Sequence, residues 1–254
     1  MTRSVPRLFA AAAAGALSLS GGPCLASETV DPLWKSAVEI AAASQGWRPT
    51  RTVSRIEDLA KDGRVRSVDE VTHAYPPGDA EPRAELVRYL RDGVDVTEKE
   101  RAKLAAQEKK ASARQKKKGE GGVRLGVAGT PFDPERQAAV SFRRTSERRT
   151  IGGRACQAYE YSRSDDSGQR SVGTACLDEE TGAPMSLRER PEPLPRFVDR
   201  LWVVLSFTYK GPGEWYPTHV EVEGSGGLLF IKKSIHTTIE LLDFTRGTTG
   251  SAAR

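Results

Sequence analysis

From Arg48 onward the chain is a series of short runs rich in Val, Ile, Thr and aromatic residues. Turn signals end each run, and hardly any helical stretch separates one from the next. "RPTRTVSRIEDL" and "GRVRSVDEVTHAY" join through "AKDG", and "AELVRYL" and "VDVTE" join through "RDG". Further strands are expected near 140–150, 154–162, 170–177 and 184–190. After the proline-rich "RPEPLPRF" come "LWVVLSFTYK", "EWYPTHVEVEG" and "GLLFIKKSIHTTIELLDF", with turns at "IGG", "ETGAP", "KGPG" and "GSGG". A parallel pair needs a crossover of a dozen or more residues, which these connections do not supply. The expected fold is therefore mainly β: a curved antiparallel sheet of about ten to eleven strands.

Alternation shows how that sheet is used. In 201–210 the odd positions, Leu201, Val203, Leu205, Phe207 and Tyr209, are apolar throughout, while the even ones turn polar after Val204. Val220 and Val222 alternate with Glu221 and Glu223. One dry face and one wet face predict an antiparallel sheet curled over a core.

The N-terminus sets the compartment. "MTRSVPRLFAAAAAGALSLSGGPCLASE" has Arg3 and Arg7, an apolar stretch over 8–19 and small residues up to Ala26. That is the layout of a secretory signal peptide, with an apolar part too short to span a bilayer. Cleavage near Ala26 makes 1–26 the signal, 27–244 a single β domain and 245–254 a flexible tail. The expected address is the periplasm, with full secretion as the alternative.

Cleavage removes Cys24 and leaves Cys156 and Cys176. In a hairpin centred on Asp166 these two oppose each other, with Ala158 facing Thr174, Glu160 facing Val172 and Ser162 facing Arg170. Tyr159 and Tyr161 then project from the other face, opposite Gly173 and Ser171. An oxidising compartment closes the pair into a disulfide, worth roughly 3 kcal/mol for a loop of this length. A redox-active dithiol normally sits two residues apart at a helix start.

Two helices are expected. The first covers 29–44, with Asp31 as its cap, Pro32 in the first turn and Gly46 as its stop. Its apolar stripe is Leu33, Trp34, Ala37, Val38, Ile40 and Ala41. The second covers 98–113, opened by a Thr97–Glu100 capping box. It is charged almost all round, with Leu104 its one large apolar residue, so 97–121 reads as a charged, partly flexible insertion. Stretch 97–118 holds nine Lys or Arg against three Glu, and accounts for the chain's formal charge of +5. Lys109, Lys110, Lys116, Lys117 and Lys118 are candidates for transient contact with an anionic membrane. The run holds no aromatic residue, and with export added this excludes a nucleic-acid partner.

Catalytic motifs are missing from the sequence. His73, His219 and His236 stand in strand contexts without metal-ligand spacing. There is no Gly-x-Ser-x-Gly elbow, and "GGVRLGVAG" and "GSGG" do not fit a phosphate loop. "LDEETGAP" carries three carboxylates but reads as a turn. No cofactor and no catalytic residue is expected.

The order of elements resembles the LolA-like family of periplasmic lipoprotein carriers and sorting proteins. "LWKSAVEIAAAS" looks like that family's leading helix, and "LVRYLRDGVDVTEKE" like its strand–turn–strand. "GTACLDEETGAPMSLRER" resembles its strand, Gly turn and returning strand. The resemblance implies a half-open barrel of about eleven strands, plugged by helices, whose hollow holds acyl chains. It implies a non-enzymatic binding or transfer protein for a lipid or lipidated protein. The ligand would lie on Leu201, Val203, Leu205, Phe207, Tyr209, Val220 and Val222, residues that a plugging helix would also contact. An envelope stress sensor or scaffold acting by protein contact is the alternative, and a hydrolase with a scattered site the third reading.

Overall fold

The structure is a computed structural model, described over residues 31–76, 84–112, 129–165, 168–228 and 231–247. The expected signal segment, Lys116, Lys117 and Lys118 lie outside those residues. So do the side chains of Lys109 and Lys110.

Helix α1 (Pro32–Ala43) begins where Asp31 accepts hydrogen bonds from the backbone N–H groups of Leu33 and Trp34. Pro32 costs nothing at a position whose N–H would be unpaired anyway. Of its stripe, Trp34, Ala37 and Ala41 are buried.

Eleven strands follow: β1 (Trp47–Leu59), β2 (Val65–Ala74), β3 (Glu85–Arg91), β4 (Val94–Asp95), β5 (Val140–Ile151), β6 (Arg154–Ser164), β7 (Arg170–Asp178), β8 (Pro184–Glu192), β9 (Val198–Gly211), β10 (Glu214–Leu228) and β11 (Ile231–Arg246). They form one antiparallel sheet in the order β4-β3-β2-β1-β11-β10-β9-β8-β7-β6-β5. The sheet is open: β4 and β5 are its edges. Every neighbour is a sequence neighbour except β1 and β11, so the first and last strands meet inside the sheet. Strand β11 runs on through Thr245 and Arg246, which pair with Arg48 and Trp47. The β3–β4 turn places Asp92 at φ 49° and Gly93 at φ 80°, the left-handed geometry that "RDG" supplies.

Three expectations change. The "GSGG" stretch is not a turn. Gly224 to Gly227 lie inside β10 and pair with β11, and the ladder continues as far as Leu228 opposite Ile231. The glycines serve close packing instead: a Cβ on Gly226 would run into the Phe197 carbonyl. Next, the cysteine hairpin is offset by two residues. Ala158 opposes Cys176 and Cys156 opposes Asp178, because the loop closes between Ser164 and Arg170. The disulfide forms all the same, on a diagonal with Cα atoms 5.6 Å apart. Tyr161 now opposes Gly173, and Tyr159 opposes Ala175. Finally, α2 (Thr97–Ser112) is not opened by a Thr97–Glu100 box. The Asp95 carboxylate accepts from both the backbone N–H and the hydroxyl of Thr97. Glu100 pairs instead with Lys103 and Arg91. Arg101 donates to the carbonyls of Leu86 and Val87, fastening this charged helix to β3.

The core lies between α1 and one half of the sheet. Trp34 stacks on Phe142 at 4.1 Å and touches Phe132, Tyr159 and Tyr161. Phe132 comes from the loop before a short 3-10 helix, Pro134–Ala139. At the far end of α1 the Ser44 hydroxyl accepts from the backbone N–H of Trp215, and Arg246 donates to the Ala43 carbonyl.

Candidate functional site

Residues opposed across an antiparallel ladder share a face, so the pairings define rungs across the inner face, the side that α1 packs on. One rung runs Tyr159, Ala175, Leu187, Leu205, Val220, Ile239, Ser54 and Val71. The next runs Tyr161, Gly173, Glu189, Val203, Val222, Thr237, Ile56 and Asp69. A third carries Leu201, Gly224, Ile235, Asp58 and Ser67.

Packing, rather than burial, separates the seven residues singled out from the sequence, six of which are half-buried. Leu205, Phe207 and Tyr209 pack against the buried cluster beneath α1. Phe207 stacks on the wholly buried Trp215 at 4.6 Å. Val220 is buried as well. Leu201, Val203 and Val222 are half-buried to the same degree but lie outside that cluster. They lie on the second and third rungs, beside Ile56 (36% exposed) and Ile235 (42% exposed). Gly224 sits between Leu201 and Ile235, and a Cβ built on it would just touch both side chains. These residues form an apolar strip on the part of the inner face that α1 leaves open.

Ile56 and Ile235 escape a reading of the sequence. Ile56 stands in "SRIEDL" and Ile235 in "KKSIHTT", among charged and polar neighbours. Only the pairing of β1 with β11 brings them onto the same face as Val203 and Val222.

Polar groups flank the strip on both sides. On the β6–β8 side, Arg163 donates to both oxygens of Glu189, at 2.8 and 3.1 Å, and the Tyr161 hydroxyl donates to Glu189 at 2.9 Å. Burial, then the neighbouring Glu189 charge, pushes the Tyr161 hydroxyl well above the ordinary phenol range. On the β2–β3 side a tyrosine, an arginine and a carboxylate come together again. The Tyr89 hydroxyl and Arg91 donate to Asp69 at 2.9 and 3.0 Å. Such ion pairs satisfy one another, so the strip is an apolar floor between two closed polar clusters. Asp58, on the third rung, has one carboxylate oxygen that is buried without a hydrogen-bond partner.

The outer face is charged. His236 lies between Glu221 (2.9 Å) and Glu57 (3.3 Å), and His219 bonds Glu240 at 2.7 Å. His73 has no such partner among the described residues, and burial lowers its pKa. Among the described residues no group of three or more His, Cys, Asp or Glu is placed to hold a metal ion. No helix there is long and apolar enough to cross a membrane.

No protein-family model matches the chain, and no curated relative does. Several solved structures are similar to it. One is a domain from Vibrio parahaemolyticus provisionally named an outer membrane lipoprotein-sorting protein, at 10% identity and a TM-score of 0.37, covering 86% of this chain and 94% of its own. Another is a LolA superfamily protein from Nitrosomonas europaea, at 11% identity and a TM-score of 0.33, covering 83% and 92%. A third is a DUF1329 family protein from Desulfovibrio piger, at 12% identity and a TM-score of 0.35, covering 87% and 93%. The chain is thus similar to LolA-type structures, and at these scores the similarity carries no argument about what it binds.

Proposed function

We propose that this chain is a non-enzymatic carrier, exported to the periplasm, that holds the acyl chain of a lipid or a lipidated protein on the open part of its inner face. The observation that carries the reading is the strip of Leu201, Val203, Val222, Ile56 and Ile235. A folded sheet normally covers such a surface, yet here two branched aliphatic side chains on it are more than a third exposed. From β9 to β1 it spans three strand spacings, roughly 14 Å at ~4.8 Å each. That width suits an extended hydrocarbon better than a compact ligand. Each methylene buried there contributes roughly 0.8 kcal/mol.

The test is binding of a fluorescent fatty acid to delipidated protein. Ile235→Glu places a charge on the strip and is expected to weaken binding at least tenfold. Gly224→Phe lays a ring over Leu201 and Ile235, covering the strip, and is expected to do the same with the strip still apolar. Phe207→Glu is a poor probe, because Phe207 belongs to the core. Unchanged affinity in both folded variants contradicts the reading.

A further inference from the structure

We propose that the outer face of the sheet carries a second site, which docks on the phosphate groups of an anionic phospholipid membrane. Between β5 and β9, on the face opposite α1, lies a groove of about 550 Å³ lined by five arginines and one carboxylate, Glu160. Arg143, Arg170, Arg188 and Arg190 all belong to the outer face: Arg143 opposes Glu160, Glu160 opposes Thr174, and Thr174 opposes Arg188.

The groove's chemistry is that of phosphate recognition. A guanidinium offers a planar fork of N–H donors that fits a phosphate two bonds at a time. Arg188 lies 4.2 Å over the ring of Trp202 and Arg190 lies 5.5 Å from the same ring. The Trp202 ring thus gathers both guanidinium groups over one face of the groove. Among the described residues Arg188 has no carboxylate partner. The others are held in exposed pairs, Arg143 with Glu160 and both Arg170 and Arg190 with Glu192. Exposed pairs of this kind contribute little, so a phosphate displaces them readily. Trp is also a side chain that settles at the membrane–water interface.

An acidic peptide fits less well. Peptides that bind sheets usually add a strand at an edge; the groove's floor is β6, β7 and β8, whose backbones are paired on both sides, and the free backbone of the edge strand β5 points along the sheet, away from the groove. A surface of lipid phosphates needs no backbone partner. The site also lies on the opposite face from the apolar strip, so neither occupant obstructs the other, and this inference does not depend on the acyl-chain reading.

The experiment is co-sedimentation of the full mature chain with vesicles of phosphatidylcholine, alone or with about one-third phosphatidylglycerol. Wild type is expected to bind the anionic vesicles only, less so as salt rises, with a blue shift in emission that Trp202→Phe removes. Arg188→Ala/Arg190→Ala is expected to lower partitioning at least tenfold. Arg188→Gln/Arg190→Gln, which keeps the stems packed on Trp202, repeats the test if the alanine pair folds poorly. Partitioning by either folded double variant equal to wild type overturns the proposal, as does equal binding to neutral vesicles. Polyglutamate that displaces the vesicles without a Trp202 shift overturns it in favour of an acidic protein surface. A loss of acyl-chain binding with vesicle binding intact would count against the inner-face reading alone.

Discussion

At the scale of single residues, placement decides role more than type does. The three histidines show this. His236 has carboxylates on both ring nitrogens, whereas His73 is half-buried in β2, where loss of solvent pulls its pKa down. The Glu221 bond raises the pKa of His236 above 6.5; burial opposes it, and the weaker bond to Glu57 and the charges of both carboxylates add to the rise. A group whose pKa is raised on folding stabilises fully below its unfolded value. That stabilisation fades as pH climbs through the folded value. The His236 pairing should therefore be complete below about pH 6.5 and lost above its raised pKa. It should be worth a few tenths of a kcal/mol at this partly exposed site. Urea midpoints of wild type and His236→Gln should differ at pH 6 and converge near pH 9. A His236 proton resonance titrating at or below the free-imidazole value removes the basis for this. The sequence could not show this arrangement, because Glu57, Glu221 and His236 come from three strands.

At the scale of elements, Asp31 has three tasks at once. Its carboxylate caps α1, accepts the Tyr159 hydroxyl at 2.7 Å and lies 3.6 Å from Arg144. The cap was legible in "TVDPLW", since Asp before Pro is a helix start. The link to β5 and β6 was not, because it spans 128 residues of chain. Replacing Asp31 by Ala removes the cap, worth about 1 kcal/mol. It also strands the hydroxyl of a buried tyrosine, at about 1–3 kcal/mol more. Asp31→Ala should thus destabilise by about 2–4 kcal/mol in denaturant unfolding. Asp31→Asn, which keeps an acceptor oxygen, should recover at least half of that. Equal losses for the two variants would show that charge, not the shared acceptor, is what matters. The cysteine hairpin has the same lesson. Spacing and compartment identified the pair, but the two-residue offset depends on how Asp165 and Gly168 close the loop, where Gly168 takes φ 80°.

At the scale of the whole molecule, the connectivity was readable because tight turns leave consecutive strands only one way to pair. Strand alternation marked the inner face of β9 and β10 correctly as apolar, and it could go no further. Leu205 and Val203 have the same pattern in sequence. One lies beneath α1 and the other lies past the helix's reach, which only the path of α1 across the sheet determines. The wet face of the same sheet reads as solvated charge in sequence, and its arginines become a groove only when five strands, β5 to β9, are laid side by side. The glycines of β10 misled for a related reason: a residue without a side chain is needed both in turns and where another backbone or side chain must come close.

The central claim is that an acyl chain occupies the open part of the inner face. Photo-crosslinking reads this most directly. Benzoylphenylalanine is placed at Val222 on the inner face or at Thr238 on the outer face, and delipidated protein is irradiated with a long-chain fatty acid in the absence of vesicles. The account predicts a covalent adduct from position 222, competed away by unlabelled fatty acid, and none from position 238. Adducts from both positions alike, or from 238 alone, would contradict it.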